Sequence, residues 1–252
     1  MGRRAENDTV LTWLGSFGPA ISALVLTGVS EGRDGLRGLL SRLFIWRVGL
    51  RWYLISLLLV PVVGLTIAIL YVLLKGLGSE LPEAEYWHST LWQQILIWVA
   101  GIWLGVAIAP GEEVGWRGYA LPRLQARLDP LAASVLLGLL WGMWHFDGLL
   151  SHAANEYSLV DVLGFTAGTI SASVIYTWLF NNTRGSVLIA SIFHAVYDIT
   201  VIWVAAILPI PPGDMWIGLI GLAAIALSII LLAGPQLSYP ILRRTEETNQ
   251  GP

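Results

Sequence analysis

The stretch WYLISLLLVPVVGLTIAILYVLLK, residues 52–75, holds no charged side chain before its final lysine. A helix needs roughly 20 predominantly apolar residues to cross the hydrocarbon core of a bilayer, and this stretch is long enough. Its apolar residues are continuous and do not alternate at every second position, which favours a helix over a barrel strand. The sequence therefore predicts a membrane-spanning α-helix here.

Similar apolar runs lie on both sides of this stretch, at residues 10–29, 92–110, 131–150, 159–180, 186–208 and 215–232. The whole chain is 56% hydrophobic and 12% charged, whereas soluble domains carry about 25% charged residues. We therefore predict an all-α fold, a polytopic transmembrane bundle of about seven helices with amphipathic cytoplasmic segments. The composition predicts the lipid bilayer as a partner and does not indicate a nucleic-acid partner.

The chain contains no internal repeat and no low-complexity linker, so residues 1–252 are predicted to form one integral membrane domain. The first apolar run lacks the short hydrophobic core and small-residue cleavage site of a signal peptide, and we expect it to be a retained helix. Residues 243–252 are polar and are expected to be a disordered tail. The absence of cysteine excludes disulfides and thiolate chemistry.

Arginines are distributed unevenly between the predicted connections. Residues 30–51 carry five of them, whereas residues 76–91 carry three glutamates and no arginine. Because short basic loops stay in the cytoplasm, the first connection is predicted inside and the second outside. Alternating onward places further arginines inside, namely Arg117, Arg123, Arg127, Arg184, Arg243 and Arg244. Only Arg3 and Arg4 disagree with this orientation. The alternation of basic and non-basic connections indicates a multi-pass protein of a cell membrane.

Ionisable side chains at membrane depth cost roughly 2.5–3.5 kcal/mol each and therefore need an explanation. The first group of them is Glu112-Glu113-Val114-Gly115-Trp116-Arg117. Glu113 and Arg117 are four residues apart and are predicted to pair on one helical face. Glu112 points about 100° away, which leaves it a candidate for proton chemistry. The alternative is an ordinary helix end capped by charges.

Two further groups lie deeper in apolar runs. His145 follows Trp141 by one turn, and we expect the indole to pack over the imidazole and limit its contact with water. His194 and Asp198 share a helical face, and a carboxylate beside an imidazole fixes its tautomer. Each group alone could serve only helix packing. Three such groups in one small bundle are better explained by one shared site.

In sequence order these motifs are Glu-Glu-x-x-x-Arg, aromatic-x-x-x-His and His-x-x-x-Asn/Asp, each on its own helix. This order resembles the CPBP family, which groups type II CAAX prenyl endopeptidases with bacterial Abi proteins, some linked to bacteriocin processing or self-immunity. The segment EEVGWRGYALPRL, residues 112–124, is close to the family pattern. Trp141 stands where phenylalanine is usual, and Asp198 where asparagine is frequent. The family commonly has about eight helices, so one is expected to be missing at the N-terminus.

The resemblance implies an intramembrane endopeptidase that acts on membrane-associated peptides or proteins, with a catalytic core over residues 92–208. Glu112 would activate the attacking water, and His145 would help to hold it. Glu113 and Arg117 would be the supporting pair. His194 would match the histidine of the last motif, with Asp198 at the position that is often asparagine. A bacterial inner membrane is the expected location, with the site facing the cytoplasm.

Two mechanisms use these residues. In one, Glu112 deprotonates water while His194 stabilises the oxyanion. In the other, Glu112, His145 and His194 bind Zn²⁺ that activates the water, and the family is often labelled a metalloprotease. The chain has no His-Glu-x-x-His motif, so we favour metal-independent chemistry and expect either no cofactor or zinc.

Two other functions are compatible with the same ionisable residues: an ion- or proton-coupled transporter, and a catalytically inactive scaffold. The proposed site also raises a geometric question. If the third helix ends at Pro110, Glu112 lies near the cytoplasmic surface and His145 lies roughly 20 Å deeper. The two meet only if residues 119–129 form an embedded helix or if the third helix begins later than Trp92.

Overall fold

The computed structural model describes residues 15–75, 91–145, 159–207 and 216–238, and this part of the chain is helical without a strand. The helices are α1 Gly18–Ser41, α2 Leu50–Lys75, α3 Leu91–Ile108, α4 Pro110–Glu113, α5 Leu121–Gln125, α6 Pro130–Trp144, α7 Leu159–Asn182, α8 Val187–Ile207 and α9 Trp216–Ala233. A short 3₁₀ turn, Arg42–Phe44, follows α1, and a π-helical segment, Val114–Ala120, joins α4 to α5. The predicted all-α bundle is confirmed.

Four helical segments are long and apolar enough to cross a membrane, Leu50–Leu73, Trp92–Gln125, Leu159–Asn182 and Val187–Val204. Helix α6 and the apolar part of α9 are shorter. Many leucine, isoleucine and valine side chains of these apolar helices are exposed, for example on the outer face of α2. Such a surface fits a lipid environment, in which apolar groups need no burial. The chain is therefore a multi-pass membrane protein.

Helix α1 differs from the predicted first span. It begins at Gly18 and bends at Gly32, where φ is +65° and ψ is −151°, a conformation that favours glycine. The part after the bend exposes Arg33 and Arg37 and buries Leu39, as predicted for an amphipathic segment. Residues 10–14 of the predicted run lie outside the described residues.

The third predicted run does not end at Pro110. Helix continues from Trp92 to Gln125 through Pro110 and the π-helical segment, because proline fits the first turn of a helical segment without losing a hydrogen bond. Arg117, which was predicted to lie in a cytoplasmic loop, is instead fully buried. The predicted helix end at Pro110 was wrong, because the helix continues through charged residues that pair with each other. The cytoplasmic side assigned to Arg117 stays a prediction.

Close helix contacts hold the site in place. An ideal Cβ on Gly138 would lie 2.6 Å from the Ile170 backbone, and one on Gly105 would lie 2.7 Å from Ala195 Cβ. Small residues at these positions let α6 approach α7, and α3 approach α8, with little space between the backbones. Large aromatic side chains, including Trp141, fill the core between these helices.

At one end of the bundle, the helix ends and the segments that connect the helices form hydrogen bonds with each other. Ser186 Oγ donates to the Ile45 carbonyl (2.6 Å), Asn182 Nδ2 to the Leu237 carbonyl (3.1 Å), and Leu131 N to the Pro235 carbonyl (3.0 Å). We call this end, formed by residues 42–49, 126–129, 183–186 and 234–238, the basic end. Helices α2, α6 and α8 all begin there, and α7 finishes there.

Candidate active site

Glu113, Arg117 and His194 form a cluster that we call the inner cluster. Arg117 Nη1 donates to Glu113 Oε1 at 2.7 Å, and His194 Nδ1 lies 2.7 Å from the same oxygen. Because a carboxylate oxygen accepts, Nδ1 is the nitrogen that carries the proton of this hydrogen bond. The predicted pairing of Glu113 with Arg117 is confirmed, and α8 supplies a third member from across the bundle.

The surroundings of Arg117 are aromatic. Its guanidinium carbon lies 3.8 Å from the ring centroid of Tyr176 and 4.7 Å from that of Trp141. Both contacts are within cation–π range, which is strongest where water is excluded. Arg117 and Glu113 have no exposed side-chain surface, so the ion pair and the rings offset part of the cost of burying the charges. Glu113 Oε2 and Arg117 Nε and Nη2 are buried without a hydrogen-bond partner among the described residues.

Glu112, Trp141 and His145 form a second group, which we call the outer cluster. Trp141 Nε1 donates to Glu112 Oε2 at 2.9 Å, and His145 Nε2 lies 3.9 Å from Glu112 Oε1. His145 Nδ1 is 2.9 Å from the Trp141 carbonyl oxygen. A carbonyl can only accept, so Nδ1 carries a proton and Nε2 of neutral His145 is left as an acceptor. Glu112 and His145 are partly exposed, at 13% and 38%.

Trp141 of the outer cluster also contacts the inner cluster. Its ring centroid lies 5.6 Å from that of His145 and 6.0 Å from that of His194, in edge-to-face arrangements. On the far side of His194, Nε2 lies 3.4 Å from Asp198 Oδ2, and the Asp198 side chain is 56% exposed. The structure therefore brings the residues of all three sequence motifs around one indole ring.

The depth problem raised by the sequence is resolved by the continuous helix. Because this helix runs on to Gln125 before the chain turns back at Pro130, Glu112 and His145 lie at nearly equal distances from that turn. Both side chains therefore reach the same level of the bundle and approach within 3.9 Å. A separation above about 10 Å, which would have argued against one joint site, is not observed.

Three contacts of the site were not predicted from the sequence. These are the hydrogen bond from Trp141 to Glu112, the contact of His194 with Glu113, and the placement of Tyr176 over Arg117. Tyr176 is buried in the apolar run of α7. A lone tyrosine in such a run gives no signal that separates it from a packing residue.

The zinc hypothesis requires Glu112, His145 and His194 to converge on one ion. Among the described residues, no three His, Asp or Glu side chains converge in a way that could hold a metal. His194 faces Glu113 through Nδ1 and Asp198 through Nε2, so neither nitrogen is directed at Glu112. The donor set does not fit a zinc ion in this arrangement, and metal dependence stays a prediction for experiment.

Comparison with known proteins shows what these motifs are similar to. The family model for the type II CAAX prenyl endopeptidase Rce1-like matches residues 92–200, a range that contains all six predicted site residues. Residues 92–200 are therefore similar to a type II CAAX prenyl endopeptidase domain. A relative, CAAX prenyl protease 2 of Methanococcus maripaludis, is 28% identical over 192 residues, which cover 73% of this chain and 69% of the relative. The resemblance to type II CAAX prenyl endopeptidases, which the sequence motifs indicated, is thus confirmed.

Proposed function

We propose that this protein is an intramembrane endopeptidase that cleaves membrane-associated peptides or proteins with water activated by Glu112. The observation that carries the proposal is the 3.9 Å separation of Glu112 Oε1 from His145 Nε2, both partly exposed. Polar atoms at this separation are too far apart for a direct hydrogen bond and are suited to a bridging water. The fixed surroundings of Glu113 make it unsuited to this role.

The protonation of the outer cluster supports water activation. His145 Nε2 and Glu112 Oε1 both accept hydrogen bonds, so a water between them donates both of its protons. Its lone pairs are then free to attack a carbonyl carbon. The bond from Trp141 Nε1 holds the Glu112 carboxylate in place through its other oxygen. Glu112 takes one water proton as the carbon–oxygen bond forms.

The remaining steps need an oxyanion donor and an acid for the leaving amine. His194 is fixed by Glu113 through Nδ1, and its Nε2 points toward the exposed Asp198. With a proton on Nε2, it would donate to the oxyanion of the tetrahedral intermediate. Glu112 then returns the proton that it took from water to the amide nitrogen as the carbon–nitrogen bond breaks, which balances protons over the cycle.

The substrate side and class are also part of the proposal. His194 lies in the half of α8 nearer the basic end, and arginine-rich ends of membrane proteins face the cytoplasm. A site in this position would receive substrates from the cytoplasmic leaflet. Because the relative is named a CAAX prenyl protease, a prenylated CAAX peptide is the first substrate to test.

The test is a cleavage assay on membrane-presented peptides, with and without a prenyl group, using purified protein in vesicles. Glu112→Ala and His145→Ala are each expected to abolish turnover while expression and thermal unfolding stay close to wild type. Glu31→Ala is the matched control, since Glu31 pairs with Arg123 on the surface, away from the site. Full activity in both site variants would contradict the proposal.

A second assay separates the two mechanisms. A strong chelator is expected to leave turnover unchanged if Glu112 alone activates the water. Loss of turnover that added zinc restores would show instead that the outer cluster and His194 rearrange around a metal ion.

A further inference from the structure

The basic end carries more positive than negative charge. Its described arginines are Arg42, Arg47, Arg127 and Arg184, and its described acid is Asp129. The adjoining helices α1, α2 and α5 add further charged residues, namely Glu31, Arg33, Asp34, Arg37, Arg51 and Arg123. Arg37 pairs with Asp34, and Arg123 pairs with Glu31. Burial lowers the pKa of Arg42, and the positive charge of Arg123 lowers it further. This end therefore has unbalanced positive charge where the first long span begins.

A cavity of about 300 Å³ opens at this end, beside the start of α2. We call it the Trp46 cavity, and it is lined by Phe44, Ile45, Trp46, Arg47 and Arg184. It lies apart from both clusters of the candidate active site, since none of its lining residues contributes to them. Its size is at the lower limit of small-molecule sites, which suits a compact group such as a phosphate ester.

The walls of the cavity are fixed by tertiary hydrogen bonds. Tyr53 Oη donates to the Trp46 carbonyl and Ser186 Oγ to the Ile45 carbonyl, each at 2.6 Å. The Arg184 guanidinium donates to the Arg47 carbonyl. Arg184 itself has a φ of +58°, a left-handed conformation that is uncommon for this residue type and persists where surrounding contacts impose it. The loop is therefore preformed.

The side chains of the cavity combine cations with exposed rings. The Arg47 guanidinium carbon lies 4.8 Å from the Trp46 ring centroid. Within the described part of the chain, neither Arg47 nor Arg184 forms an ion pair with a carboxylate. Phe44 is 76% exposed and Trp46 is 57% exposed. Aromatic side chains of this kind are typical of the membrane–water interface, where headgroups lie.

We propose that the Trp46 cavity binds the phosphate-bearing headgroup of an anionic lipid from the leaflet at the basic end. Guanidinium groups suit phosphate because their planar fork can donate two hydrogen bonds to its oxygens. Arg47 and Arg184 supply that fork, while Trp46 and Phe44 lie beside the upper part of the lipid chains. The site is independent of peptide hydrolysis, and an inactive enzyme would retain it.

The test uses purified protein in a neutral detergent at physiological salt, titrated with dihexanoyl phosphatidylglycerol, dihexanoyl phosphatidylcholine or inorganic phosphate. A ligand that binds only the folded state raises the unfolding temperature. We expect phosphatidylglycerol to raise it, and the other two to have little effect at the same concentration. An equal rise with inorganic phosphate would overturn the assignment to a lipid, and no preference for phosphatidylglycerol over phosphatidylcholine would overturn the site.

Variants locate the binding. Arg47→Gln is expected to weaken phosphatidylglycerol binding roughly fivefold, the effect of about one basic residue at a membrane surface. Arg33→Gln removes the same charge from an exposed position outside the cavity and is expected to change the affinity by less than about twofold, because salt screens it. Equal losses in the two variants would show diffuse charge attraction and contradict the site. If Arg47→Gln fails to fold, Arg47→Lys with the same control decides between these outcomes.

Discussion

Glu112 and Glu113 are neighbours in the chain and lie in different environments. Glu113 is fully buried in the inner cluster, where one of its oxygens contacts both Arg117 and His194. Glu112 is partly exposed in the outer cluster, hydrogen-bonded to Trp141 and 3.9 Å from His145. A rotation of about 100° along one helix separates them. One carboxylate is thereby committed to holding helices together, and its neighbour is available for chemistry.

The comparison predicts that the two clusters fail in different ways when they are altered. A charge buried with its partner destabilises the fold strongly when the partner is removed. A partly exposed catalytic carboxylate contributes to turnover more than to folding. Each prediction below tests one side of that division.

The largest effect is expected for Glu112→Gln, which preserves the shape of the side chain and removes its capacity to accept a proton. Turnover should fall by roughly a thousandfold, within the usual range for loss of a general base, whereas the unfolding temperature should change little. Single-turnover cleavage and thermal unfolding in detergent measure the two quantities. A large loss of stability in this variant would contradict the prediction that Glu112, unlike Glu113, contributes little to folding.

Arg117→Met addresses the inner cluster. It leaves Glu113 buried with His194 as its remaining described partner, and we expect a loss of about 3–5 kcal/mol in the free energy of unfolding. Denaturant or thermal unfolding of the purified protein measures it. The double variant Glu113→Gln/Arg117→Met should recover part of the loss, since it removes both charges. A destabilisation below about 1 kcal/mol would place the pair among ordinary surface ion pairs.

Trp141→Phe gives a smaller effect, because it keeps an aromatic ring beside both clusters while it removes the N–H that binds Glu112 and part of the buried indole ring. Hydrogen bonds to charged groups contribute about 1.5–3 kcal/mol, and partial exposure of Glu112 places this one at the lower limit. Turnover should fall roughly tenfold. Trp144→Phe is the matched control, because Trp144 packs on Trp116 and has no described bond to either carboxylate. Equal losses in both would indicate ring packing as the cause.

Asp198→Asn is expected to have the smallest effect. The Asp198 side chain is more than half exposed and lies 3.4 Å from His194 Nε2, so its loss should change stability by less than about 1 kcal/mol. Asparagine still presents an oxygen to His194 and adds an amide donor for the oxyanion. We expect turnover to stay within about tenfold of wild type. Complete inactivation would indicate instead that Asp198 takes part in the chemical step.

Most of the fold could be predicted from the sequence because apolar runs of membrane-spanning length leave few alternatives to a helix. The helix ends were less predictable. Apolar length placed an end at Pro110, and the structure continues the helix to Gln125. A hydropathy criterion counts Glu113 and Arg117 as polar, whereas the folded chain buries them as a neutral pair. The end of this helix was therefore predicted too early.

The local part of the site was predictable as well. The pairs Glu113–Arg117 and His194–Asp198 follow from four-residue spacing on a helix, a rule that holds before any tertiary contact forms. Helix geometry also predicts that Glu113 pairs with Arg117 and that Glu112, which points about 100° away, does not. The contacts that join the clusters, Trp141 with Glu112 and Glu113 with His194, connect residues far apart in the chain.

The sequence by itself determined a helical membrane bundle and the composition of each polar pair, because both depend on regular spacing along one helix. Only the tertiary structure decided that Glu112 and His145 lie at one depth, since that depends on where the long helix ends and turns. It also decided that Trp141 is the hydrogen-bond donor to Glu112. These are properties of packing, in which small residues such as Gly138 and Gly105 set how closely the helices approach.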